Sequence, residues 1–409
     1  MGYLLFIRRN WLFLLSGFLL TFSSSYGQTY FIALFASDIK ADFELSDGQW
    51  GGIYTLGTTL SAIAMLWAGV LTDQFRVRAL ALWVMIALAA ACFAMALNTS
   101  WALLALVVFA LRLTGQGMMS QLGSVAMVRW FEKTRGKAIS LAAMGFAAGQ
   151  AILPVVFVAL FAISPWRSLW VLAGCLILFT IPVLLFLLRQ ERTPQAIADE
   201  TQIAGMDSRH WTRKDMLRSG FFLLMIPMII GPAAWGTALF FQQVHLTEMK
   251  GWDLVAYVSL MPIYTMSTVG ATFVAGWAID RFGVSKITPF QMLPFALSFV
   301  VLAYAETIFM AGVGLVIFGL GQGMQSTGGS ALWPVYFGTR HIGSIKAVTA
   351  AIMVFGSAVG PGVSGMLIDM GVSFPQQMIP YALFYLVAAA MASIAILRYR
   401  PTLARQPHL

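Results

Sequence analysis

Arg112 is the one Lys or Arg that falls in the middle of an apolar stretch, within ALLALVVFALRLTGQGMMSQLGSVAMV at residues 102–128. A charge at bilayer depth is costly unless it faces a cavity or a partner, so it marks a candidate binding group on a solute path. A guanidinium presents a planar fork of donors that suits a carboxylate, and a low-dielectric setting strengthens the bond. Counting about 1.5 Å per residue from the outer helix ends places Arg112 about 16 Å down. Tyr26, Gln28, Gln150, Trp235 and Tyr264 fall near the same level, Gln322 and Gln325 somewhat deeper, and Tyr54 higher. Gln116 follows Arg112 in the same stretch. Together these form a candidate substrate-binding layer. Each also has a packing role open to it: the Arg bonding to backbone carbonyls, the aromatic rings filling the core, the Gln amides pairing with other helices.

Other chemistry is missing from the pattern. All 16 acidic residues sit in loops or near the ends of apolar stretches, so no paired buried carboxylates are available for acid–base work. No nucleophile elbow and no phosphate loop GxxxxGK[ST] occur, so neither hydrolysis nor ATP is expected to drive the protein. Four scattered His and two isolated Cys, Cys92 and Cys175, make no metal-ligand cluster and no disulfide framework. No enzyme activity, cofactor or metal is expected. One intramembrane cation without a counter-ion makes a small organic monoanion, such as a monocarboxylate, the simplest substrate. The coupling could then be a proton carried with the acid, exchange for a second anion, or downhill flow.

The elements that must position these residues are membrane spans. The chain is 59% hydrophobic and 10% charged over 409 residues, outside the range of soluble domains. A spanning helix needs about 20 apolar residues, and twelve such segments are predicted: 11–36, 47–72, 77–97, 101–128, 137–161, 166–188, 217–245, 253–279, 285–304, 308–334, 343–368 and 375–397, spans one to twelve below. A transmembrane barrel would instead show alternating segments of about 10 residues. The net charge of +9 would suit a nucleic-acid binder, but its distribution does not. The odd-to-even turns and the two tails hold 21 of the 25 Lys and Arg; Lys40, Arg167 and Lys250 lie in the opposite turns, and Arg112 is the last. Retained positive charge puts both termini in the cytoplasm, in a multi-pass protein of the plasma membrane (the inner membrane of a bacterium). The lipid bilayer is the expected partner, nucleic acid is not, and a monomer is expected. A polar run from Arg189 to Ser219 divides the chain into an N-terminal six-helix bundle at 1–188, a cytoplasmic linker at 189–216, and a C-terminal six-helix bundle with a short tail at 217–409.

The halves repeat. Gly115-Gln116-Gly117-Met118 recurs as Gly321-Gln322-Gly323-Met324, Gly69 and Asp73 as Gly276 and Asp280, Lys137-Ala138 as Lys346-Ala347, and Tyr26-Gly27 parallels Trp235-Gly236. Parallel repeats about an axis along the membrane normal place a site near the midplane, so Arg112 is expected to open onto a water-filled vestibule.

With these features the chain resembles the major facilitator superfamily over nearly its whole length. The turn after span eight, Gly276-Trp277-Ala278-Ile279-Asp280-Arg281-Phe282-Gly283, closely matches the family's G-x-x-x-D-R-x-G motif. The copy after span two keeps Gly69 and Asp73 but has Gln74 and Arg76 where the family has Arg and Gly. The resemblance implies an all-α membrane fold of twelve helices in two pseudo-symmetric bundles, a central cavity lined by spans one, four, seven and ten, and transport by alternating access. It also implies that Asp73 and Asp280 latch a cytoplasmic gate, with Arg76 or Arg78 as the positive partner in the first copy and Arg281 in the second. Close helix approach at the two glycines is expected to aid that latch. Ser46-Asp47-Gly48-Gln49-Trp50-Gly51, Arg129-Trp130-Phe131 and Arg135-Gly136-Lys137-Ala138 are similar to the monocarboxylate and oxalate/formate branch. Span eight lacks that branch's usual charged residues. The resemblance therefore implies a secondary transporter of a small organic anion, with a co-transported proton or an exchanged anion. The rival within the family is a proton-driven drug or metabolite exporter, whose Gly-Pro motif span five lacks.

Overall fold

In a bilayer every backbone polar group must be satisfied internally, and helices do this within one segment. The computed structural model describes residues 3–131, 135–190, 204–338 and 340–403, with a few side chains inside these ranges left out, Gly69, Asp73 and Gln74 among them. The described residues form helices and turns, with no strand beyond one isolated bridge between Met206 and Leu403. Ten of the helices are long and apolar enough to cross a membrane, and they correspond to spans three to twelve. Span two is the single helix Asp47–Gln74. Span one is Tyr3–Ser23 followed by short helical pieces as far as Asp42.

Local sequence explains several of the ends. Span two begins with a capping box: the Gln49 N–H donates to Ser46 Oγ at 3.1 Å, and the Ser46 N–H donates to Gln49 Oε1 at 2.9 Å. The motif that resembled a transporter branch is thus also a helix start. Span twelve, Phe374–Tyr399, repeats the device: the Ser373 N–H donates to Gln376 Oε1 at 2.9 Å. Span seven is shorter than predicted, and spans eight and nine each begin with short separate pieces. Gly220–Phe241 is followed by a separate helix Gln243–Lys250, Leu254–Val258 precedes Met261–Phe282, and short turns precede Leu293–Tyr304.

The chain divides into two compact units, Met1–Ala198 and Asp199–Leu409. In the first, span one packs on span five, span two on span four, and span three on span six. In the second, seven packs on eleven, eight on ten, and nine on twelve. The pairings correspond one for one, so the sequence repeat is a repeat of helix packing.

The linker's C-terminal part is ordered against the second unit. Met206 N–H donates to Tyr336 O at 2.8 Å, Asp207 N–H to Thr402 O at 2.9 Å, and Trp211 N–H to Phe337 O at 3.1 Å. The Trp211 ring meets Phe337 edge-on, with centroids 5.6 Å apart. Residues 204–212 therefore strap the end of span ten to the segment after span twelve. Residues 191–203 of the linker lie outside the described residues.

Candidate functional site

Span one loses its helical ladder at the depth of Arg112. Consecutive Ser23, Ser24 and Ser25 offer hydroxyls that compete for backbone carbonyls, and Ser24 Oγ donates to Thr21 O at 2.6 Å. A tight 3-10 turn follows at Ser24–Gly27, Gln28 is extended at φ −86° and ψ 152°, and the helix restarts at Thr29. A Cβ on Gly27 would collide with the Leu111 carbonyl oxygen and lie 2.7 Å from Gly115 Cα. The backbones of spans one and four therefore touch, which only glycine allows. Across this contact span four widens into π-helical turns over Arg112–Met119. Such wide turns insert a residue into the helical repeat, re-aim side chains and recur at functional sites.

Arg112 occupies the junction of the two distortions. It is 1% exposed. Its Nη1 donates to Gly27 O and to Thr29 Oγ1, each at 3.2 Å. Thr29 Oγ1 lies 2.6 Å from the Tyr54 hydroxyl, and the guanidinium carbon stands 5.3 Å from the Tyr54 ring centroid. Nε and Nη2 have no hydrogen-bond partner among the described residues. Their N–H bonds run side by side along one edge of the planar group, the edge that a carboxylate engages with both oxygens. A buried donor without an acceptor costs about 1–3 kcal/mol. The fold thus satisfies one corner of the guanidinium and leaves its carboxylate-matching edge unsatisfied.

Arg112 was expected to open onto water, but its side chain is buried. The side chain is buried because it bonds to the break in span one. Of the other residues expected in the first unit, Tyr54 meets Arg112. Tyr26 instead joins an aromatic cluster, 5.3 Å from Phe31 and 6.4 Å from Phe157, because the break turns its ring into the core. Gln28 and Gln150 are buried, and Gln116 is half-buried. In the second unit the expected residues each have packing or hydrogen-bond partners of their own or are half-buried. Trp235 stacks on Tyr381 at 4.1 Å. Tyr264 packs between Phe240 and Phe318. Gln325 Nε2 donates to Met228 O at 3.4 Å, and Gln322 is half-buried.

Three groups were missed by sequence reasoning. Thr29 is a common residue whose importance depends on the helix break. The Gly27 carbonyl leaves no mark in the sequence at all. Tyr381, which donates to Gln377 Oε1 at 2.7 Å, lies in span twelve, outside the expected lining.

At the predicted gate, Asp280 and Arg281 are exposed at the end of Met261–Phe282. Gly283 takes φ +84°, a conformation that favours glycine. Gly276 does not mediate the close approach expected of it: a Cβ there would meet Thr327 Cγ2 at an ordinary 4.0 Å. In the first copy Arg76 and Arg78 are exposed, while the surroundings of Gly69 and the side chain of Asp73 lie outside what the structure describes.

A model of the Major Facilitator Superfamily matches residues 17–283 and 259–409. Among solved structures, a bacterial homologue of the human lysosomal transporter Spinster, inward-facing and unoccupied, superposes with a TM-score of 0.70 at 15% identity, covering 96% of this chain and 98% of that one. The nucleoside transporter NupG gives a TM-score of 0.67 at 12% identity, covering 95% and 99%. A stretch of 117 residues is 31% identical to the "Multidrug resistance protein B homolog" of two Mycobacterium tuberculosis strains. That match spans 29% of this chain and only 20% of the relative's length.

Proposed function

Because the chain belongs to the Major Facilitator Superfamily and is a multi-pass membrane transporter rather than an enzyme, we propose that it carries a small organic anion, of monocarboxylate type, bound at Arg112. The observation that carries this reading is the buried Nε–Nη2 edge of Arg112, left without an acceptor among the described residues at the junction of a helix break and a π turn. Discontinuous helices at membrane depth are tolerated where they line a site or are buried in protein, and many secondary transporters bind substrate at such breaks. A carboxylate meeting that edge gains two charge-assisted hydrogen bonds and relieves two unsatisfied donors. Transport follows by alternating access, with the turns carrying Gly69, Asp73, Arg76, Arg78 and Gly276, Asp280, Arg281 as the cytoplasmic gate. Tyr26, Gln28, Gln116, Gln150, Trp235, Tyr264, Gln322 and Gln325 remain candidates for the rest of the substrate path.

The test is uptake by proteoliposomes of labelled formate, acetate, lactate, pyruvate and oxalate, with and without an imposed pH gradient. Arg112→Lys is expected to keep the charge yet lose transport by about tenfold or more, since an ammonium has no parallel pair of donors. Undiminished uptake by the Lys variant would remove the bidentate site.

A second reading is proton-driven export of a drug or metabolite. It is favoured by the short match to the multidrug-resistance relatives and by the Trp235–Tyr381 stack, whose indole Nε1 has no acceptor among the described residues. A planar cationic dye in the same liposomes separates the two: dye movement without carboxylate uptake supports export.

A further inference from the structure

We propose that Thr29 and Tyr54 are positioning residues for Arg112: together they hold the guanidinium by one corner and one face, so that its Nε–Nη2 edge is presented to an anion. This rests on the reading of Arg112 as the anion site.

Five N–H bonds on a freely rotating guanidinium can meet a buried acceptor in many ways, and an edge is reliably available only if the plane is fixed. Here the Gly27 carbonyl and Thr29 Oγ1 both accept from Nη1, the nitrogen at the corner remote from the free edge. The Tyr54 ring lies against the guanidinium, with its centroid 5.3 Å from the central carbon. The Thr29–Tyr54 hydroxyl contact of 2.6 Å joins the two supports. Tyr54 is 0% exposed and Thr29 9%, so neither is in competition with bulk water. Thr29 has a single hydroxyl hydrogen and two lone pairs. Accepting from Arg112 leaves it free to donate to Tyr54, which links span one, span two and span four through a continuous polar contact. Thr29 is also the first residue after the break. Its side chain therefore ties the orientation of the anion site to the position of the restarted helix: when that segment shifts, the guanidinium loses one of its two acceptors.

The proposal is separated from a structural role by what the variants do to binding and to stability. Thr29→Val keeps the β-branched shape and removes the acceptor. Thr29→Ser keeps the hydroxyl. Tyr54→Phe keeps the ring and removes the hydroxyl. Arg112→Ala removes the site. Purified full-length protein in detergent is titrated with acetate, lactate and pyruvate, and the carboxylate-induced rise in Tm is read alongside the Tm without carboxylate. Expected for Thr29→Val is an apparent Kd for the best of these carboxylates weakened by about tenfold, with Thr29→Ser within about twofold of wild type. Tyr54→Phe is expected between the two. In proteoliposomes the same Thr29→Val change raises KM and leaves kcat near that of wild type.

If Thr29→Val lowers the carboxylate-free Tm but binds as wild type does, Thr29 merely supports the break and the positioning role is overturned. If Thr29→Ser binds as poorly as Thr29→Val, the hydroxyl is not the cause and the role is again overturned. If Arg112→Ala shows the same carboxylate response as wild type, or wild type responds to none of the three, the anion-site reading itself fails, whatever Thr29 does.

Discussion

At the residue scale, the cost of an unsatisfied donor is the quantity that matters. Arg112 is 1% exposed, yet two of its nitrogens lack acceptors among the described residues. An arginine serving only as a brace would be saturated by the carbonyls it braces, because leaving N–H groups dry is expensive. The same scale gives a stability prediction. Gly27→Ala forces a Cβ into the Leu111 carbonyl and against Gly115, with no flexible side chain to yield. It is expected to cost at least about 1–3 kcal/mol, read as lowered thermal stability in detergent. Gly236→Ala, whose added Cβ would meet only the Phe318 ring at 3.1 Å, is expected to lose less. Asp215 gives a pH-dependent case. Its carboxylate accepts from the Thr212 hydroxyl at 2.6 Å and the Thr212 N–H at 3.2 Å, and the hydroxyl bond, first among the causes, holds its pKa below the ordinary carboxylate value. A lowered folded pKa means that the stabilisation is present above the unfolded value and is lost as pH falls through the folded one. The short helix Arg213–Arg218 is therefore expected to lose its cap in acid, and Thr212→Val to raise the Asp215 pKa, measurable by NMR titration.

At the scale of the element, helix ends were more legible than helix interiors. Ser46 and Gln49 encode a start by themselves, since a hydroxyl and an amide three residues apart satisfy each other's backbone donors. The break in span one and the widened turns in span four are invisible in the same way that the Gly27 carbonyl is: each exists because the other is there. The linker shows the opposite surprise. A run of charge and small residues reads as a connector, yet Trp211 is buried and its neighbours hydrogen-bond to the end of span ten and to the segment after span twelve. Trp211→Ala is expected to cost about 3 kcal/mol and to loosen the backbone around the exposed Arg209 and Arg213, so that trypsin cuts there faster than in the wild type. Equal cleavage rates would show that the strap does not depend on that ring.

At the scale of the whole molecule, the expected topology rests on the basic residues. Long apolar helices can insert either way round, and retained Lys and Arg choose the direction. After replacement of Cys92 and Cys175 by Ser, single cysteines at Lys40 or Lys250 are expected to react with an impermeant maleimide from outside intact cells. Cysteines at Arg78 or Lys286 are expected to react only after permeabilisation. The reverse pattern would invert the orientation inferred from charge. The fold and its repeat were readable because they rest on quantities a sequence states directly: the length of apolar runs, the sign of the turns, and recurring Gly and Asp positions. The matching helix pairings of the two units follow from that recurrence. Of the cluster around Arg112, only Arg112 and Tyr54 were readable as candidates. Gly115-Gln116-Gly117-Met118 and Gly321-Gln322-Gly323-Met324 are the same four letters, yet the first lies in π-helical turns and the second in an unbroken helix. Side-chain composition decides that a segment is helical and apolar. Which turn widens, and which buried donor is left without an acceptor, depends on the backbone that packs across from it, and that is decided only when the tertiary contacts form.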